Sequence, residues 1–282
     1  MGFFEKQKIG TARLLALVVS AIAIRAFIEI FFSTFTSVDP YYLKLCAQAS
    51  MYMLICLGCI KPYLEYYTTT KKASISWVTI TGLVSAWAIV LLMFSYGSTA
   101  LVVMVAARFN VQGTYDFFHF HQGKEIVHGF LSTNVLAFFF VNVFIAPATE
   151  EIVFRGILLS NLISRYGRLG GAIICALVFT AFHFLHPDFV AVFVFSLAAS
   201  AIYIACGSIR YCILMHSMYN ALAFIYQYYF GGWWCRSNNQ LIGLANWTGS
   251  LVLFGVSSFA IGILFYIFRK YTPAANSPAD SD

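Results

Sequence analysis

Charge is what this sequence has least of. Only 10% of its 282 residues are charged while 61% are hydrophobic, a balance that cannot cover a water-facing surface and excludes a soluble globular class. Also missing is any long polar stretch in which a second core could form, so a single membrane domain is expected over residues 1–271. The polar segment 272–282 (TPAANSPADSD) is expected to be a disordered tail. No H-E-x-x-H occurs, and no internal repeat relates the two halves of the chain. The one C-x-x-C pair, Cys56 and Cys59, lacks the second pair or the histidines that a zinc site needs. All seven cysteines read as small packing residues.

What the chain has in quantity is apolar runs. A crossing takes about 20 apolar residues, and windows of that kind fall at 11–33, 44–61, 75–105, 126–164, 169–186, 188–206, 208–230 and 241–268. The expected fold class is therefore all-α, a polytopic membrane protein of about eight helices with a site between them. Gly97 in the third window and Pro147 in the fourth are expected to break or kink their helices. The first run contains Arg25 and Glu29, has no cleavage pattern after it, and is read as a retained span, with those two residues paired across one helical turn.

The net charge of +6 points to topology and not to nucleic acid, because the Lys and Arg residues lie mostly in short segments between apolar runs. With the amino terminus in the cytoplasm and alternating spans, the inner side collects Lys6, Lys8, Arg13, Lys61, Lys71, Lys72, Arg165, Arg168, Arg210, Arg269 and Lys270. The outer side collects Lys44, Arg108, Lys124 and Arg236. Both termini are expected inside. The segment from Arg108 to Glu125 reads as an interfacial aromatic loop in preference to a metal site at His119 and His121. Tyr226, Tyr228, Tyr229, Trp233 and Trp234 fit an outer aromatic belt.

Ionisable groups inside a membrane cost several kcal/mol each unless paired or hydrated, so they are the first candidates for function. Three clusters stand out: Glu150, Glu151 and Arg155 in PATEEIVFRG, Phe179 and His183 in FTAFHFLHPD, and His216 and Asn220 in MHSMYN. At the helical rise, Glu150 and His183 lie about 20 Å from the inner helix ends, Asn220 about 18 Å and His216 about 12 Å. Adjacent glutamates point about 100° apart on a helix. Arg155, four residues from Glu151, pairs with it most simply and leaves Glu150 to face a cavity, where it can take a proton from water as a general base. Phe179 is placed to orient the His183 ring one turn later, and His216 and Asn220 are placed to donate toward one developing oxyanion. The bland alternatives are a structural charge triad and ordinary helix-packing histidines.

Taken in order, E-E-x-x-x-R, F-x-x-x-H and H-x-x-x-N resemble the three motifs of the CAAX protease and bacteriocin-processing family, over residues 147–220. That resemblance implies an intramembrane endopeptidase that hydrolyses peptide bonds near the membrane surface; it leaves room for a metalloprotease and a glutamate protease alike, and with no thiolate in the clusters the metal-free version is preferred. Glu150 and His183 would activate water, His216 and Asn220 would stabilise the oxyanion, and Glu151, Arg155 and Phe179 would support them. It implies partners in membrane lipid and a peptide or membrane-protein substrate, prenylated in the eukaryotic branch. The Phe154-Arg155-Gly156 continuation is more like the bacterial branch, hence a bacterial cell membrane. Competing readings are a zinc-dependent version of the same protease, with His186 as an extra ligand, a non-catalytic scaffold or bacteriocin immunity protein, and a transporter.

Overall fold

The computed structural model describes residues 11–35, 47–55, 57–58, 76–108, 133–183, 188–230 and 248–271, and among these there is helix and no strand. The segment after Arg108 with His119 and His121, the Cys56–Cys59 pair, His186, Trp233, Trp234 and the 272–282 tail lie outside the described residues, as do the side chains of Glu29, Tyr228 and Tyr229.

Helix α1 spans Thr11–Phe35, α2 residues 47–55 and α3 Trp77–Arg108. A long helical run follows. It comprises α4 (Thr133–Phe140), a π turn at Val141–Ile145, α5 (Ala146–Glu151), a second π segment at Ile152–Leu159, and α6 (Ser160–Phe182). Then come α7 (Phe189–Cys206), α8 (Ile209–Phe230) and α9 (Thr248–Tyr271).

Within α6 the chain reverses at Gly167, whose φ of 72° and ψ of 176° are open to glycine and strained for other residues. The reversal is tight. A Cβ on Gly171 would lie 2.8 Å from the backbone nitrogen of Ile163, so the returning strand of helix needs glycine to pack this close. Phe154 then meets Phe179 at 4.8 Å and Phe182 at 5.8 Å between ring centroids, which sets the two legs antiparallel.

Four helices among the described residues are long and apolar enough to cross a membrane: Trp77–Val102, Val135–Phe182, Phe189–Cys206 and Thr248–Lys270. The expectation of about eight crossings is not confirmed. The physical reasons are local. Val135–Phe182 is one apolar stretch that contains the Gly167 turn, α8 is made more polar by Arg210, His216 and Asn220, and α2 is described over nine residues.

One sequence expectation, a break at Gly97, is corrected by the backbone. Gly97 does not interrupt α3. A Cβ there would stand 2.7 Å from the Cα of Phe254, so the glycine is where α3 and α9 approach closely. Helix likewise continues through Pro147, directly after the π turn at Val141–Ile145. A proline ring clashes with the carbonyl four residues earlier, here Val143, and the widened turn accommodates it.

Ring contacts give the helix directions. Trp77 meets Tyr211 and Tyr96 meets Tyr226, so α3 and α8 run parallel. Trp87 meets Phe265 and Phe94 meets Phe254, so α9 runs antiparallel to α3. One buried cluster extends from Ala21 through Trp87 and Phe195 to Phe268. Its outer faces are equally apolar: Val78, Leu169 and Phe259 are 78%, 74% and 74% exposed. Side chains of that kind on several helices require lipid as the solvent.

Candidate active site

The site forms where the long helical run, the end of α6, α7 and α8 meet. Its least expected neighbours in a membrane are fully buried ions. Arg155 and Glu151 are both 0% exposed and bonded at 3.0 Å from Nη1 to Oε1, the pairing expected from their spacing. Arg155 Nη2 donates to the hydroxyl of Ser196 on α7 at 2.9 Å and to its carbonyl at 3.3 Å. The guanidinium also lies over the Phe179 ring at 4.7 Å. A cation so enclosed needs this many partners, because breaking a buried pair costs about 3–5 kcal/mol. The π segment at Ile152–Leu159 carries Arg155, as π turns frequently do at functional positions.

Glu151 has a second role. Its Oε1 also accepts from Nδ1 of His216 at 2.8 Å, joining α5 to α8. With Nδ1 committed there, Nε2 of His216 faces Glu150, 3.9 Å from its Oε2. That gap is too long for a direct hydrogen bond and suits a bridging water. Glu150 is the less buried of the two glutamates, 14% exposed, which matches the division expected from their 100° separation. Its other oxygen, Oε1, accepts from the Tyr52 hydroxyl of α2 at 2.9 Å.

His183 caps α6. Its Nδ1 donates to the carbonyl of Phe179 at 2.9 Å, and its ring stacks on the Phe179 ring at 4.6 Å. Phe179 is thus the common floor of the site, because the His216 ring meets it edge-on at 6.3 Å. Phe195 of α7 closes against His216 from another direction, at 4.7 Å. Asn220 lies one turn beyond His216 and donates from Nδ2 to the backbone carbonyl of Asn142, in the first π turn, at 2.7 Å. The structure therefore brings Glu150, Glu151, Arg155, Phe179, His183 and His216 into one cluster, with Asn220 bound to its edge.

Sequence reasoning missed Tyr52, Ser196 and Asn142. Tyr52 is one of 17 tyrosines and Ser196 one of several serines in apolar runs. Only the three-dimensional contact distinguishes them.

Among the described residues no three His, Cys, Asp or Glu side chains converge as metal ligands.

Comparison with known proteins bears on one segment. Residues 132–222 match the family model described as "Type II CAAX prenyl endopeptidase Rce1-like". This supports the resemblance drawn from the three motifs, all of which fall inside it. Together with the apolar helices, the match supports an integral membrane protein of the CAAX protease type. No curated protein and no solved structure matches the chain.

Proposed function

We propose that the protein is an intramembrane endopeptidase that hydrolyses a peptide bond near the membrane surface by water activated at Glu150. The observation that carries this reading is the 3.9 Å gap between Glu150 Oε2 and His216 Nε2. One carboxylate oxygen and one ring nitrogen face a common point, and each is held from behind, by Tyr52 and by Glu151.

In the proposed sequence, a water at that point gives a proton to Glu150 and attacks the scissile carbonyl carbon. The carbonyl π electrons move to oxygen, and the resulting oxyanion is met by His216 in its doubly protonated form and by Asn220. Collapse of the tetrahedral intermediate breaks the C–N bond, and the proton held by Glu150 passes to the leaving amine. His183 assists the water from the Phe179 side. Glu151 and Arg155 fix the His216 ring, and Phe179 provides the surface against which both histidines are oriented.

The substrate class that fits is a peptide or membrane-protein segment reached from the lipid interface, with prenylated CAAX peptides as first candidates by family likeness. We propose a bacterial cell membrane, on the likeness of the Phe154-Arg155-Gly156 continuation to the bacterial branch, with both termini cytoplasmic, on the distribution of Lys and Arg over alternating spans. The metal-free mechanism is preferred to a zinc-dependent one because the three clusters contain no thiolate.

The test is cleavage of a peptide library that includes farnesylated CAAX peptides, by purified protein in lipid, with and without chelator. Chelator-resistant cleavage that Glu150→Ala and His216→Ala both abolish is the expected result. Chelator-sensitive cleavage would replace it with the metal mechanism, and equal cleavage by the variants would remove the catalytic assignment.

A further inference from the structure

A carboxylate turns easily about its last torsion, which has a broad, two-fold profile. A general base in a water-filled gap therefore needs one oxygen held if the other is to stay aimed at the water. Among the described residues, the hydrogen bond that does this for Glu150 comes from outside the family-matched segment. Tyr52, 98 positions earlier, donates its hydroxyl proton to Oε1 at 2.9 Å.

Tyr52 is built into its place. It is 9% exposed, and its neighbours Met51 and Ile55 on α2 belong to the same buried cluster. Gln48, one turn earlier, is a further hydrogen-bond neighbour of the phenol. The ring is thus immobilised by packing before it meets Glu150, and an O–H donor on an ionised acceptor makes one of the stronger hydrogen bonds available to a protein.

The geometry on the two oxygens is complementary. Oε1 is turned to Tyr52 and Oε2 to His216 Nε2. We propose that Tyr52 is a positioning residue for Glu150, a role that rests on the hydrolytic reading above: it holds Oε1 so that Oε2 remains directed at the water shared with His216. In this way α2, a part of the chain with no motif of its own, completes the site. The plainer account is that the bond only satisfies a buried phenol, as buried tyrosines require.

Two readouts on the full chain in lipid separate these accounts. The infrared difference between wild type and Glu150→Gln isolates the carboxylate stretch of Glu150. Steady-state cleavage of a farnesylated CAAX peptide gives kcat and KM. For Tyr52→Phe, which removes one oxygen and keeps the ring, the carboxylate band is expected to move. The same variant should lower kcat about tenfold with KM unchanged, at wild-type thermal stability.

An unmoved band overturns the proposal whatever the rate does, because the hydroxyl is then not holding the carboxylate. A moved band with unchanged kcat also overturns it, leaving the bond purely structural. If wild type cleaves none of the peptides, the hydrolytic reading fails and the positioning role fails with it. A moved band in that case still assigns the Tyr52–Glu150 bond, so the two failures are told apart.

Discussion

Nδ1 of His216 lies 2.8 Å from Oε1 of Glu151, tying α8 to the long helical run through one imidazole. Two consecutive glutamates thereby receive opposite surroundings. Glu151 is enclosed by Arg155 and His216, and Glu150 is left beside the gap.

Glu151→Ala is expected to be among the most destabilising single changes in the protein. It leaves the Arg155 guanidinium buried without its counter-ion, at a cost of about 3–5 kcal/mol. Thermal unfolding in detergent should show a large drop for Glu151→Ala and a smaller one for Glu150→Ala, whose side chain is partly exposed. Equal drops would mean that the two carboxylates share one environment.

The approach of α3 to α9 gives a prediction with an internal control. A Cβ on Gly97 would stand 2.7 Å from the Phe254 backbone, whereas one on Gly82 of the same helix meets nothing within 4 Å. Gly97→Ala should destabilise by about 1–3 kcal/mol through overpacking. Gly82→Ala should stabilise by about 0.5–1 kcal/mol through helix propensity. The measurement is the shift in unfolding midpoint of each variant.

Backbone conformation alone is at stake at Gly167, where φ is 72° and no atom lies within 4 Å of a built Cβ. With ψ at 176° the residue lies in a region essentially confined to glycine, so Gly167→Ala and Gly167→Asn are both expected to cost about 1–3 kcal/mol. Unfolding curves of the two variants check this, and an unchanged midpoint for either would contradict it.

The readable part of the site was the part encoded by helical spacing. Glu151 and Arg155, four apart, had to share a face, as did Phe179 and His183, and both contacts are present. The helical class followed from composition and the length of the apolar runs. Partners across helices were not readable, because nothing local selects them: Tyr52 reaches Glu150 over 98 positions, and Ser196 reaches Arg155 over 41. The second bond of Glu151, to His216, escaped for the same reason. The reversal at Gly167 falls in the gap between the apolar windows 126–164 and 169–186, where the sequence parts two spans.

Phe179 links a stacked histidine to a buried cation. Phe179→Ala removes its contacts with His183, Arg155 and Phe154 together and should cost about 3–5 kcal/mol. Phe179→Tyr retains the ring face and should lose far less. A similar loss for both substitutions, followed by thermal unfolding, would show that retaining the ring face is not enough and that the buried position does not admit a hydroxyl.

The central claim is that Glu150 is the base that activates water. Its most direct test is the ratio of kcat/KM for wild type and Glu150→Gln on a cleaved peptide in lipid, with chelator present throughout. The account predicts a fall of about 10²–10⁴-fold with the fold of the protein intact. Cleavage by Glu150→Gln at the wild-type rate would contradict it.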